Sequence, residues 1–204
     1  MNQTLVLRLV MVSLTLLLAA CITSNTPARK DPLQQKVSVT VSGAALPVTR
    51  STPLSWYTDV QEIKAPSGGK YSRRDAAIEK MADNGDVPVW IQTEIQRQME
   101  ARGFLFTAAP TRYQVVGAAV LGDGEASVQV QKVFQLFPTL AGVGDAAHPK
   151  GTLLLGIWDA QLERGVWRTA LQTFADINAT DAAKRQRLSD LIAEMLARLE
   201  PADH

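Results

Sequence analysis

Few side chains in this sequence have the types and spacing that catalysis needs. Nucleophilic catalysis uses a hydroxyl or thiol beside a base that an acid orients. The sequence contains one cysteine, Cys21, and two histidines, His148 and His204, and no serine stands in a Gly-x-Ser-x-Gly pattern. Because His148 lies in a loop of small residues, contact with solvent is its ordinary role. We predict a protein that is not an enzyme, with a hydrolase that uses His148 as the alternative.

Metal and phosphate sites are also not indicated. Asp123 and Glu125 flank Gly124, but Asp-Gly is typical of a hairpin turn, and the other positions of a calcium loop are absent. Gly68-Gly69-Lys70 lacks the spacing of a phosphate-binding loop. We therefore predict no metal and no cofactor.

Two features fit either packing or binding. The four tryptophans, Trp56, Trp90, Trp158 and Trp167, are expected mostly in the core, although surface aromatic residues mark binding patches. The loop Pro138–Pro149 is rich in glycine and alanine, and it is long enough for a binding element or a disordered segment. We favour disorder for this loop.

The N-terminus reads as an export signal. Leu5 to Ala20 is apolar except for Arg8, Ser13 and Thr15, and this interrupted run is shorter than the roughly 20 residues of a membrane-spanning helix. A signal peptide, with an apolar region of roughly 7–15 residues before small residues, fits better.

The end of this run, Leu18-Ala19-Ala20-Cys21, resembles the lipobox of bacterial lipoproteins. The resemblance implies a diacylglyceryl group on the Cys21 sulfur, cleavage before Cys21, and two or three fatty acyl chains such as palmitate. Because several chains hold a protein stably on a bilayer, the membrane is a predicted partner. Ile22, in place of aspartate after Cys21, favours the outer membrane, facing the periplasm.

The predicted organisation is a signal peptide over 1–20, a lipidated tether over 21–35 and one domain over 36–200. The tether is polar and holds Pro27 and Pro32. The first 20 residues contain one charged side chain, Arg8, so the remainder has 20 basic and 20 acidic residues. This balance, without a basic stripe, argues against nucleic acid as a partner.

The hydrophobic patterns predict the elements of the domain. Predicted strands cover Val37–Val41, Leu54–Val60, Tyr113–Leu121, Val128–Phe137, Gly151–Trp158 and Gly165–Phe174, with a hairpin turn at Asp123-Gly124. Predicted helices cover Ser72–Gly85, Asp86 to Arg102-Gly103, and a segment that Asp181 caps and Pro201 ends.

This order of elements predicts an α+β fold, an antiparallel sheet with helices packed on one face. Leu153, Leu155 and Ile157 point to one side of their strand, and Leu154 and Trp158 to the other. A strand that is apolar on both sides belongs in the centre of the sheet.

Several segments between Leu54 and Leu199 resemble the lipoproteins grouped as domain of unknown function 4136. They are the helix from Ile91 that closes on Gly103-Phe104, the strand at Tyr113-Gln114-Val115, Gly151-Thr152-Leu153 with Asp159, Val166-Trp167-Arg168, and the helix after Arg187. The sequence departs from the family at Ser72–Gly85 and at Tyr113-Gln114. The resemblance implies a compact α+β domain on a lipid anchor, and it implies no chemistry.

The sequence thus predicts a non-enzymatic envelope lipoprotein that binds another envelope component, in an accessory role in envelope assembly or maintenance. A protein that handles lipid or lipopolysaccharide is the first alternative, and it requires an apolar groove between sheet and helices. An uncharacterised hydrolase is the second.

Overall fold

The structure is a computed structural model that describes residues 31–43, 46–64 and 87–202. The described residues from Pro32 onward form one compact unit. Within the described ranges, no helix has the length and apolar character to cross a membrane. The predicted signal peptide, most of the tether and the predicted helix at Ser72–Gly85 lie outside the described residues.

The described part of the chain contains seven strands and three α-helices. In chain order they are β1 (Lys36–Ser42), β2 (Pro53–Trp56), β3 (Gln61–Lys64), α1 (Val87–Ala101), β4 (Leu105–Phe106), β5 (Tyr113–Leu121), α2 (Glu125–Phe134), β6 (Lys150–Asp159), β7 (Arg164–Phe174) and α3 (Asp181–Met195). A short 3-10 helix, Pro32–Gln34, precedes β1. The predicted α+β class is confirmed.

All seven strands belong to one sheet in the order β1-β7-β6-β5-β2-β4, with β3 also on β5. The pairs β1·β7, β7·β6 and β6·β5 are antiparallel, whereas β2 and β3 run parallel to β5. The segment Leu54–Val60, predicted as one strand, is a strand only as far as Trp56, and β3 begins after it at Gln61. Leu54 pairs with Tyr113 and Gln61 with Ala118, so the chain leaves β5 between Trp56 and Gln61 and returns in another register.

The main core lies on the sheet face that α1 and α3 cover. Leu153, Leu155 and Ile157 of the central strand β6 point into it, as predicted. Helix α1 contributes apolar side chains at every fourth position. Three of them, Ile91, Ile95 and Met99, are at most 2% exposed. Gly103 follows the helix at its predicted C-terminal end. Its φ of 93° is a backbone conformation that glycine adopts readily.

Helix α3 differs from its prediction at both ends. Thr180, and not Asp181, is the N-cap, and its hydroxyl accepts a hydrogen bond from the Ala183 N–H. The helix ends at Met195, well before Pro201. Leu196 and Leu199 are nevertheless buried in the turns that follow. Their apolar side chains pack in the core although the helix has ended.

The segment Val128–Phe137 was predicted as a strand, and this prediction is wrong, because it belongs mostly to α2. Ala126, Val130 and Phe134 recur every four residues and pack together on the second face of the sheet. The predicted hairpin turn at Asp123-Gly124 instead leads into this helix, with Gly124 as its N-cap. Strand β5 pairs antiparallel with β6, and not with Val128–Phe137 as the predicted hairpin required, and α2 connects β5 to β6.

The loop Pro138–Pro149, for which we favoured disorder, is held against the sheet. Leu140 is 5% exposed, and its N–H donates to the Gln172 Oε1 at 2.8 Å. Lys150 Nζ donates to the Leu140 carbonyl at 2.9 Å. One buried leucine in a run of small residues is a weak sequence signal, which explains the wrong expectation.

Candidate functional site

An apolar pocket of about 590 Å³ lies between the sheet and the N-terminal parts of α1 and α3. It is on the same face as the main core. Its described lining includes Ala119 and Leu121 of β5, Gly151 and Leu153 of β6, Leu171 and Thr173 of β7, Trp90 and Ile91 of α1, and Leu188 and Leu191 of α3. The sequence alternative of lipid handling requires an apolar groove in this place.

Small residues in the sheet make room for the pocket. Ala119 and Gly151 lie on neighbouring strands and point toward the helices, where larger side chains would fill the space. Of the described residues, Leu121 alone approaches a β-carbon built on Gly151 within 4 Å, with its Cδ1 at 3.9 Å. This part of the chain therefore leaves room at Gly151 for a side chain that the sequence does not supply.

The walls of the pocket continue the core. Leu153 and Leu171 are buried beneath it, whereas Leu188 and Leu191 of α3 are only partly buried. The apolar face of this helix thus has two roles. Ile192 and Met195 complete the core, and the leucines one turn earlier face the cavity.

Charged residues surround the pocket on the α3 side. Lys184 Nζ lies 3.8 Å from Asp181 Oδ1, and the Arg185 guanidinium lies 5.8 Å from the centre of the Trp90 ring. Asp176 and Glu62 also line the site, so the charges are mixed. Both cations are on one edge, where an anionic group at the end of an apolar ligand would meet them.

Arg187 has a structural role in the pocket wall. Its guanidinium donates to the Thr173 hydroxyl at 3.1 Å, to the Phe174 carbonyl at 3.0 Å and to the carbonyl of Leu33. These bonds tie the 3-10 helix and α3 to the end of β7. All three bonds come from Nη2, so this nitrogen of Arg187 holds the cavity wall together.

The arrangement suits binding by burial of apolar surface. Pockets for small molecules are typically 300–1,000 Å³, mostly apolar, with few polar groups that fix orientation. In the described ranges no group of three or more His, Cys, Asp and Glu side chains could hold a metal ion. The lining residues offer leucine, isoleucine and tryptophan surface for an apolar chain.

The sequence candidates for chemistry are not brought together. His148 is in the loop before β6, where its Nδ1 lies 3.2 Å from Asp145 Oδ1. The N–H groups of Ala147 and His148 donate to the same oxygen, and these bonds, with His148 foremost, lower the pKa of Asp145. Asp145 thus caps a turn, and His148 is held in that turn. Cys21, His204 and Gly68-Gly69-Lys70 lie outside the described residues.

The tryptophans are divided between the core and its margin. Trp167 is 3% exposed, Trp56 packs on Phe106 with ring centres 6.0 Å apart, and Trp158 is partly buried. Trp56 Nε1 also donates to Gln96 Oε1 at 3.1 Å. Trp90 differs, because it is the tryptophan that lines the pocket.

The side chain of Asp159 caps the turn after β6 and meets a charged partner that the sequence does not reveal. The N–H groups of Gln161 and Leu162 donate to its Oδ1, and Arg112 Nη2 donates to Oδ2 at 2.8 Å. The bond from Arg112 is the main reason that the pKa of Asp159 is lowered. Arg112 precedes β5, 47 residues away in the chain, and nothing in the sequence marks that pairing.

Comparison with known proteins finds distant likenesses of fold. A single-residue variant of PelC from Paraburkholderia phytofirmans, described as a dodecamer, has 14% identity and a TM-score of 0.49, covering 82% of this chain and 99% of that chain. Another crystal form of that PelC has 12% identity, the same coverage and a TM-score of 0.48. A family protein of domain of unknown function 4136 from Bacteroides thetaiotaomicron has 9% identity and a TM-score of 0.42, covering 80% and 95%.

No family model matches this chain, and no curated protein matches it. The Bacteroides protein belongs to the family that the sequence resembles. Likenesses at these identities and TM-scores establish neither family membership nor function.

Proposed function

We propose that this chain is a non-enzymatic envelope lipoprotein that binds the acyl chain of an envelope lipid. The diacylglyceryl group on Cys21 anchors it to the outer membrane, facing the periplasm. The observation that carries the proposal is the apolar pocket of about 590 Å³ between sheet and helices. The sequence Leu18-Ala19-Ala20-Cys21 supports the anchor.

Burial of the acyl chain supplies the binding energy. Transfer of a methylene group from water to an apolar site is worth about 0.8 kcal/mol. The leucines that face the cavity, Leu153, Leu171, Leu188 and Leu191, provide that surface. Lys184 and Arg185 at the edge favour a chain that ends in a carboxylate or phosphate.

The lipid anchor is tested by expressing the protein in a bacterial host and measuring whether its N-terminus is acylated. The full chain is expected to incorporate labelled palmitate and to sediment with membranes, and intact mass should place the acyl groups on Cys21. The variant Cys21→Ser is expected to lose both properties. Incorporation by Cys21→Ser equal to that of the native protein would overturn the anchor.

The ligand is tested by extracting the protein in mild detergent and identifying the bound lipid by mass spectrometry. The variant Gly151→Phe places a ring in the pocket and should lose that lipid. Gly151→Ala is the matched control, because the structure leaves room for a methyl group there, and it should retain it. Equal lipid content in the two variants would contradict binding in this pocket.

A second candidate function is binding of a protein partner at the loop after α2. Phe137 is 55% exposed and Val143 is 82% exposed in this segment. A protein companion in stoichiometric amount in the same preparation, lost on Phe137→Ser, would favour this function. The hydrolase alternative predicts turnover of an envelope substrate that His148→Ala abolishes.

A further inference from the structure

Strand β1 is an edge of the sheet. It is the terminal strand of the order β1-β7-β6-β5-β2-β4, and among the described residues no strand pairs with its other side. Seven residues, Lys36–Ser42, pair with β7 in continuous register without a bulge. A long regular edge of this kind is a template for another strand.

The backbone groups that face the open side can be identified from the pairing. The Gly43 N–H donates to the Val166 carbonyl of β7 at 3.3 Å. Since alternate residues of an antiparallel strand direct their N–H and C=O to the same side, Val37, Val39 and Val41 bond toward β7. Lys36, Ser38, Thr40 and Ser42 therefore direct theirs outward.

The usual protections of an edge strand are missing from β1. The strand contains no proline, and its one charged residue is Lys36, at its first position. That ammonium group is paired with Glu194 of α3, which holds it over the domain and not across the edge. The Thr40 hydroxyl is directed toward β7, where it forms a hydrogen bond of 2.8 Å with the Thr169 hydroxyl.

The side chains of β1 make the strand complementary to itself. Val37, Val39 and Val41 share one face, and Val41 is 42% exposed. An antiparallel copy in which Val39 faces Val39 pairs Val37 with Val41, Ser38 with Thr40, and Lys36 with Ser42 at each end. This is the one register that pairs every residue of the strand, and it brings no like charges together.

We propose that β1 is a docking edge for a second copy of this chain. Two copies join by antiparallel pairing of β1 with β1 about a two-fold axis at Val39, which forms one continuous sheet. The outward backbone groups of Ser38 and Thr40 then bond to those of Thr40 and Ser38 in the second copy, and the valine rows of both copies meet on one face.

The dimer is tested by measuring the mass of the protein particle by sedimentation, with the full chain in excess mild detergent. Two matched variants are compared. Ser38→Ala keeps the outward N–H and should sediment at twice the mass of one chain. Ser38→Pro removes that N–H without removing a bond to β7, and it should sediment as a single chain with an unchanged circular dichroism spectrum. A single-chain mass for Ser38→Ala, or a dimer for Ser38→Pro, would overturn the proposal.

Oxidative cross-linking tests the register in a Cys21→Ser background, which removes the one cysteine of the sequence. Val39→Cys should form a disulfide-linked dimer, because the two positions face each other across the axis. Val37→Cys lies on the same face but opposite Val41, so it should remain uncrosslinked. Equal cross-linking of both variants, or of neither, would contradict this pairing. Neither experiment depends on the pocket or the anchor.

Discussion

Ser189 of α3 donates a hydrogen bond of 2.6 Å to Glu94 Oε1 of α1, and this bond joins the two helices that cover the main core. Gln98 Nε2 donates to the same carboxylate oxygen at 2.8 Å and to the Ser189 carbonyl at 2.9 Å. Arg97 donates to both carboxylate oxygens. These bonds, with that of Arg97 foremost, lower the pKa of Glu94 to about 2 from 4.5.

We expect Glu94→Gln to reduce the free energy of unfolding at pH 7 by about 1–2 kcal/mol, allowing for the solvent exposure of Arg97. Because the pKa is lower in the folded protein, the stabilisation by Glu94 is complete above the unfolded pKa of 4.5. It is lost as the pH falls toward 2. Urea denaturation at pH 7, 4 and 3 should therefore show the native protein and Glu94→Gln converging. Glu100→Gln, exposed on the same helix, is the control, and an equal loss there would refute this origin.

The pair of Arg112 and Asp159 predicts a graded response to substitution. Asp159→Asn keeps an oxygen for the N–H groups of Gln161 and Leu162 but loses the charge that Arg112 meets. Asp159→Ala loses both. Thermal denaturation should give the order native, then Asp159→Asn, then Asp159→Ala, from highest to lowest Tm. Equal Tm values for the two variants would show that the turn contributes nothing.

Ile192→Asp tests the packing of α3 on the sheet. Ile192 is 1% exposed in the main core, so a carboxylate there is buried without a partner. The variant should lose its cooperative thermal transition. Val133→Asp also puts a carboxylate in place of an aliphatic side chain, but at a position on α2 that is 80% exposed. Its free energy of unfolding should stay within about 0.5 kcal/mol of that of the native protein. A cooperative, unshifted melt of Ile192→Asp would refute the packing.

Glu163 offers a substitution that should stabilise the fold. It lies in the turn between β6 and β7 with φ of 51°, in the left-handed region that costs about 1–2 kcal/mol for residues other than glycine. Glu163→Gly removes that cost but gives the unfolded chain more freedom, so we expect a net gain of about 0.5–1 kcal/mol. Glu163→Val should instead destabilise the protein. Chemical denaturation of both variants decides the sign.

Elements with one clear hydrophobic pattern were predicted correctly from the sequence. An element whose residues fit both a helix and a strand was missed. Strand β5 was predicted at its observed bounds, because the apolar run Tyr113–Leu121 ends at the turn residues Gly122-Asp123-Gly124. Helix α2 was missed because valines dominate Val128–Val133, and their strand preference hid the four-residue spacing of Ala126, Val130 and Phe134. Burial of that face on the sheet outweighs the local preference.

The candidate site could be predicted only in part. The leucines of α3 and the class of fold indicated an apolar surface between sheet and helices. The pocket itself depends on two small residues, Ala119 and Gly151, which lie diagonally across paired strands. Ala119 pairs with Leu153, and Gly151 pairs with Leu121. Ala119 and Gly151 are 32 positions apart, and their proximity follows from the register, which the sequence pattern does not fix.

Binding of a defined apolar probe tests the central claim most directly. The fluorescent fatty acid cis-parinaric acid is titrated into the detergent-solubilised full chain as the native protein, Gly151→Ala and Gly151→Phe. The account predicts saturable binding of one probe per chain to the native protein and to Gly151→Ala, and at least a tenfold weaker affinity for Gly151→Phe. Equal affinity for the three proteins, or no saturable binding to the native protein, would contradict it.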